Sequence, residues 1–125
     1  MSDAPIIRAI EKVPAAEVER ATGAELQVLL GPDQGMPNFF TRQFTLAPGG
    51  RIPAHRHPDI EHQQVVLEGE MLLTLDGEQR QVRAGDAVFI PARVGHSYEN
   101  RGPAPVRFLC IVPATSEYQT EWLEG

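Results

Sequence analysis

Apolar and polar positions along this chain alternate in short runs, and proline and glycine (11 of each) interrupt them every few residues from position 31 onward. The runs rich in β-branched and apolar residues cover 38–46, 63–67, 71–75, 79–83, 87–90 and 106–112. Strands of about five or six residues with turn signals at this density predict an all-β sandwich or barrel. Asp76-Gly77, between 71–75 and 78–83, is a two-residue hairpin signal, because a type I′ turn needs positive φ at both central positions. Ala84-Gly85-Asp86 and Asn100-Arg101-Gly102-Pro103 mark two more turns. Residues 25–30 read as a further strand and 31–37 as a loop. Helical propensity is confined to 15–24, a stretch short for a stable helix and expected as a single turn or a loop. On 106–112, alternation puts Phe108, Cys110 and Val112 on one face and Leu109 and Ile111 on the other.

With 125 residues the chain is expected to form one domain around one core. Aromatic residues make up only 6%, so that core must rest on Val, Leu, Ile and Ala. A net charge of −6 argues against a nucleic-acid partner, which would call for clusters of Lys and Arg. Cys110 is the single cysteine, which rules out an intrachain disulfide and fits a reducing compartment. Met1-Ser2-Asp3-Ala4-Pro5 lacks the basic and apolar regions of a secretory leader. No apolar run approaches the roughly 20 residues that span a bilayer. The expectation is a cytoplasmic protein with no membrane partner.

The chemistry lies in the histidines. All four fall in two segments: His55, His57 and His62 together, and His96 34 residues later. Imidazole is the commonest transition-metal ligand, and residues two apart on a strand project from one face. The pattern predicts a metal-binding centre. Its competitors are a chance surface cluster and a four-coordinate structural zinc, whose ligands are usually rich in cysteine.

Two motifs carry a resemblance. The first reads Gly49, five residues, His55-Arg56-His57, four residues, His62, six residues, Gly69. The second reads Gly85, five residues, Pro91-Ala92-Arg93, two residues, His96, three residues, Asn100. Both resemble the motifs of the cupin superfamily, over approximately 38–113. The resemblance implies a single cupin barrel (a double-stranded β-helix, or jelly roll) with extra N-terminal strands. Arg93 stands where the family usually has glycine, which suggests an altered turn before His96. His62 stands where it usually has glutamate. Together with Pro37-Asn38-Phe39, Glu61-His62 and the run from Phe108 to Pro113, this looks like the small single-domain cupins with a four-histidine site. That likeness implies a homodimer with one divalent transition metal per chain. Manganese or iron is the first expectation, and nickel, copper or zinc the alternatives. It also puts Cys110 near the metal.

Glu61 and His62 compete for the third ligand position, since neighbouring strand residues face opposite sides. Counting back from Gly69 favours His62, with the extra residue absorbed in 58–60; Glu61 then becomes an exposed carboxylate or an acceptor for a histidine N–H. The ligands His55, His57 and His62 are expected from two neighbouring strands, and His96 from a third across the barrel. Tyr98 shares a face with His96, and Gln64 with His62. Arg42 is placed at the cavity mouth, where it could hold an anion; it competes with the bland reading of a solvated strand residue. Tyr98, Cys110 and Arg42 are thus the candidate pocket residues. The tail bearing Tyr118 and Trp122 is expected on the barrel exterior or on a neighbouring subunit.

Four neutral imidazoles on an octahedral metal would leave two positions for an oxygen-bearing small molecule, or for dioxygen with it. A metal-dependent oxidoreductase of dioxygenase type is the leading expectation. The alternatives are a metal-dependent lyase, decarboxylase or isomerase, and a non-catalytic metal-centred metabolite-binding or sensor domain.

Overall fold

A computed structural model describes residues 4–124; residues 1–3, part of the N-terminal stretch read above for a leader, lie outside the described residues. Ten strands carry the fold: β1 (Ala16–Glu17), β2 (Thr22–Leu30), β3 (Phe39–Arg56), β4 (His62–Glu68), β5 (Glu70–Leu75), β6 (Glu78–Arg83), β7 (Ala87–Ile90), β8 (His96–Glu99), β9 (Val106–Pro113) and β10 (Glu121–Trp122). Single 3-10 turns at Ile10–Lys12 and Pro32–Gln34 are the helical elements among the described residues. The stretch 15–24 forms a small hairpin, β1 against β2, with Ala16 opposite Leu26. Long-range pairing of β2 with β3 overrides its weak helical propensity.

The strand order β6-β5-β8-β3-β9-β4-β7 describes one sheet curled on itself into a jelly roll. Its pivot is β3, which runs unbroken through Pro48-Gly49-Gly50 where sequence signals predicted an end at Leu46. Its first half lies between β2 and β9, and its second half pairs with β8 and β10. One strand that changes sheets turns the corner of the sandwich. Gly49 takes φ 82°, and a Cβ at Gly50 would sit 2.5 Å from the Gly23 carbonyl oxygen. The bend therefore needs both glycines.

Asn100 locks that corner. It is fully buried, its Nδ2 reaches the carbonyls of Leu46, Ala47 and Ala104, and its Oδ1 accepts from Gly102 N–H. Alanine there strands three carbonyls and an amide. Urea unfolding should show Asn100→Ala to be less stable by about 3 kcal/mol; an unchanged midpoint would refute this role.

The Asp76-Gly77 hairpin forms as expected, with φ 47° and 81° and Leu75 opposite Glu78. Asp76 also accepts from Gly95 N–H at 2.7 Å, which ties this turn to the approach to His96. Arg93 is a finding against expectation. It takes φ 75°, so the turn keeps the left-handed geometry that glycine would adopt, at a strain cost.

Inward positions on the pocket strands form layers with period two. Val66, Phe108, Leu46 and Val106 belong to the apolar core, and Phe44 packs against it. Phe108 is fully buried and stacks between Phe44 (5.2 Å) and Tyr98 (5.1 Å). One step outward lie Gln64, Tyr98, Cys110 and Arg42. The next step reaches His62, His96 and Val112. Cross-strand register supports the layering: Gln64 pairs with Cys110, and Cys110 with Arg42. The face of Phe108, Cys110 and Val112 points inward, as alternation predicted.

Candidate metal centre

His55 sits near the end of β3 and His57 just beyond it. His62 opens β4 and His96 opens β8. One expectation needs correcting. His55 and His96 are direct cross-strand partners, while β9 separates β3 from β4, so His62 and not His96 reaches across a strand. Sequence order could not reveal that the last long strand inserts between β3 and β4.

The rings converge. Centroid separations are 4.3 Å for His55–His96, 5.1 Å for His55–His57, 5.8 Å for His57–His96, 5.1 Å for His57–His62 and 5.2 Å for His62–His96. His55, His57 and His96 each offer a nitrogen within 4.8 Å of the others. His62 adjoins this triad without belonging to the tighter set. Glu61 is exposed and faces away, beside Phe39 and Ile111 on the outer surface.

Backbone carbonyls hold three of the rings. His55 Nδ1 lies 2.8 Å from Pro53 O, His96 Nδ1 3.1 Å from Val94 O, and His57 Nδ1 3.1 Å from Gln119 O. A carbonyl can only accept, so each Nδ1 carries its proton and each Nε2 keeps a free lone pair. His62 Nδ1 is buried with no hydrogen-bond partner. Three pre-oriented lone pairs and one orphaned imidazole nitrogen are a donor set that fits a divalent transition metal.

Burial favours neutral imidazole at every position. It lowers His62 to about 2, helped by the neighbouring His96 and His57, and His96 to about 3, helped by His55. His55 and His57 are lowered for the same main reason.

The C-terminal tail, expected on the barrel exterior or on a neighbouring subunit, lies instead against the histidines of its own chain. β10 pairs with the end of β3, Trp122 opposite His55, and the Trp122 ring lies 5.0 Å from that histidine. Tyr118 meets His57 edge-on at 5.3 Å, and Thr120 Oγ1 lies 3.2 Å from His57 Nδ1. The tail therefore walls the pocket. Ion pairs Arg56–Glu121 and Arg51–Glu124 fasten it to β3. In the sequence each aromatic residue directly follows a glutamate, Glu117-Tyr118 and Glu121-Trp122, a pattern that names no partner.

Beneath the histidines, Gln64 Nε2 donates to Tyr98 Oη at 2.6 Å and approaches Cys110 Sγ at 3.5 Å. Arg42 Nη2 donates to Cys110 Sγ at 3.2 Å. Arg42 therefore lies below the mouth, inside the pocket wall. Burial, reinforced by Cys110, pushes the Tyr98 phenol well above its usual range. The cavity bounded by these residues measures about 160 Å³.

A curled jelly roll with histidines gathered between its strands defines a cupin. The cupin domain family matches residues 42–112, more than half of the chain, and the chain belongs to that family. Among its relatives, the polyketide synthase protein CurC of Streptomyces cyaneus is 34% identical over 78% of this chain and 64% of its own length. Quercetin 2,3-dioxygenase of Bacillus subtilis is 41% identical over 70% of this chain and 28% of its own. This chain thus spans less than two thirds of these curated relatives. The structure of the polyketide cyclase RemF from Streptomyces resistomycificus superposes with a TM-score of 0.88 at 27% identity, over 98% of this chain and 87% of that one. No helix among the described residues is long and apolar enough to cross a membrane.

Proposed function

We propose that this cupin is a metal-dependent enzyme that acts on a small oxygen-bearing substrate, with His55, His57, His62 and His96 holding one divalent transition metal, manganese or iron in the first instance. The observation that carries this reading is the orphaned Nδ1 of His62 beside three histidines whose Nδ1 protons are spent on carbonyls. When bound, the metal would supply Lewis acidity and, if redox-active, electron transfer to dioxygen. The chain's own part is to keep four imidazoles neutral and to exclude water with Trp122 and Tyr118. Elemental analysis should find about one such metal per chain; no stoichiometric metal even after reconstitution would sink the reading.

Oxidoreductase chemistry of dioxygenase type is favoured by what lines the pocket. Lyase, decarboxylase or isomerase chemistry needs a protein acid or base tuned near neutral pH. Here the histidines are lowered, Tyr98 is raised, Glu61 faces outward, and the carboxylate that does line the cavity, Glu19, is solvent-exposed. The likeness to a polyketide cyclase over nearly the whole chain supports a second reading, in which a chelating ketone is rearranged without oxidation. The two separate on one experiment with heptane-2,4,6-trione, which can close to a dihydroxytoluene by losing one water without an oxidant, and catechol as chelating probes. Oxygen uptake by iron- or manganese-loaded protein and none by zinc-loaded protein supports the dioxygenase. Probe conversion with zinc and no oxygen uptake supports the cyclase-like reading. Tight probe binding without conversion under either metal would favour a metabolite-binding domain.

A homodimer in the cytoplasm completes the proposal. Phe39 and Phe89 are 59% and 54% exposed on the outer face of the β3-β9-β4-β7 wing, an apolar surface suited to a two-fold contact. Sedimentation should show a dimer at micromolar concentration, and Phe89→Glu should shift it toward monomer. A monomeric wild type would overturn the dimer.

A further inference from the structure

Between the histidines and the apolar core lies a polar layer that stability does not require. Arg42, Gln64, Tyr98 and Cys110 occupy one level of the barrel, above Phe44, Val66 and Phe108. Apolar residues of similar volume at this level would avoid a desolvation cost. The layer is also incompletely satisfied. Gln64 is 2% exposed, yet its Oε1 has no donor; Arg42 Nε is buried without an acceptor. A guanidinium offers five N–H donors, and that of Arg42 makes one side-chain hydrogen bond, to the weak acceptor Cys110 Sγ. None of the ion pairs among the described residues involves Arg42. Its remaining contact is the Phe44 ring, 5.4 Å from the guanidinium carbon. Glu19 also lines the cavity but is exposed and makes no ion pair with Arg42, so this arginine is a cation kept for a ligand.

The geometry points to an oxyanion subsite in which the Arg42 guanidinium binds the acidic group of a small organic acid whose other end lies at the histidines. Resting on the functional reading above, this names the substrate class as a compact carboxylic acid or enolate. Size sets a second limit. A cavity of about 160 Å³ matches what a single benzene-sized ring fills. The part of the ligand held inside is therefore one ring or a chain of similar bulk, and any larger remainder must lie outside the Trp122 rim.

Benzoate and its uncharged isostere benzamide test this by calorimetry on the full-length protein, both as purified and after removal of metal. Wild type should prefer benzoate by about tenfold, the scale of one charge-assisted hydrogen bond, and the preference should survive metal removal. Arg42→Gln should erase it, and Arg42→Lys should restore part of it because the charge returns without the planar fork. Metal content of each variant should match wild type, since Arg42 is not among the metal-holding histidines. Three results would overturn the subsite: no benzoate binding by wild type at millimolar concentration, no preference over benzamide, or a preference that vanishes with the metal. The wild-type arms decide even if a variant fails to fold. Failure of the metal reading looks different: no metal in wild type, with the benzoate preference intact.

Discussion

Alanine at His62 or at His96 lowers metal affinity at least a hundredfold, while Glu61→Ala leaves it unchanged. Removing a hydrogen-bond partner of a ligand commonly costs about ten- to a hundredfold, so losing the ligand itself must exceed that. The two neighbours differ because β4 turns His62 inward, 3% exposed and 5.1 Å from the His57 ring, and leaves Glu61 in solvent. Metal titration of the three variants measures this directly. Loss of binding in Glu61→Ala alone would mean that the register of β4 is off by one residue. His62→Glu adds a second readout. A carboxylate protonates near pH 4.3 and an imidazole near 6.5, as reference values. The variant should therefore hold metal to lower pH than wild type, with a shallower slope of affinity against pH. Superimposable curves would remove His62 from the ligand set.

The metal-free protein loses about 4 kcal/mol of stability between pH 8 and pH 5. Once unfolded, the chain takes up protons on its histidines from about pH 6.5 downward. The folded protein keeps His96 neutral to about pH 3 and His62 to about 2, because burial penalises the charged ring. Stability is fully present above pH 6.5 and falls as pH drops through the window between these values. At pH 5, 1.5 units below the unfolded value, each of the two contributes a loss of about 2 kcal/mol. His55 and His57, lowered in the same direction, add to it. Against a typical total of about 5–15 kcal/mol this is a large fraction. Urea midpoints of chelator-treated protein at the two pH values measure it, and His62→Leu should recover about half of the loss. A pH-independent midpoint would mean that the histidines are hydrated in the metal-free state.

Local pattern carried much of this architecture. Alternation on 106–112 put Phe108 and Cys110 inward, because a pleated strand has no other choice. Asp76-Gly77 made its turn because few dipeptides tolerate positive φ twice. Motif spacing singled out four histidines as candidates, and the fold gathers three of them, His55, His57 and His96, within 4.8 Å, with His62 beside them. Where pattern reading failed, distant partners outvoted local preference. The weak helical stretch 15–24 became a hairpin once β2 had β3 to pair with. Gly49-Gly50, beyond the run 38–46 that pattern reading delimited, became the bend at which one strand serves two sheets.

What the sequence determined by itself is the inventory: an all-β chain, its tight turns, its inward faces, and the side chains able to bind metal. Tertiary structure alone decided adjacency. It inserted β9 between β3 and β4, set Arg42 against Cys110, made His55 and His96 cross-strand partners, and folded Trp122 and Tyr118 over the histidines. The physical reason is that backbone preference and period act over a few residues, whereas strand pairing is settled by burial summed over the whole closed sheet. A residue can state in sequence which way it faces; only closure states what it meets.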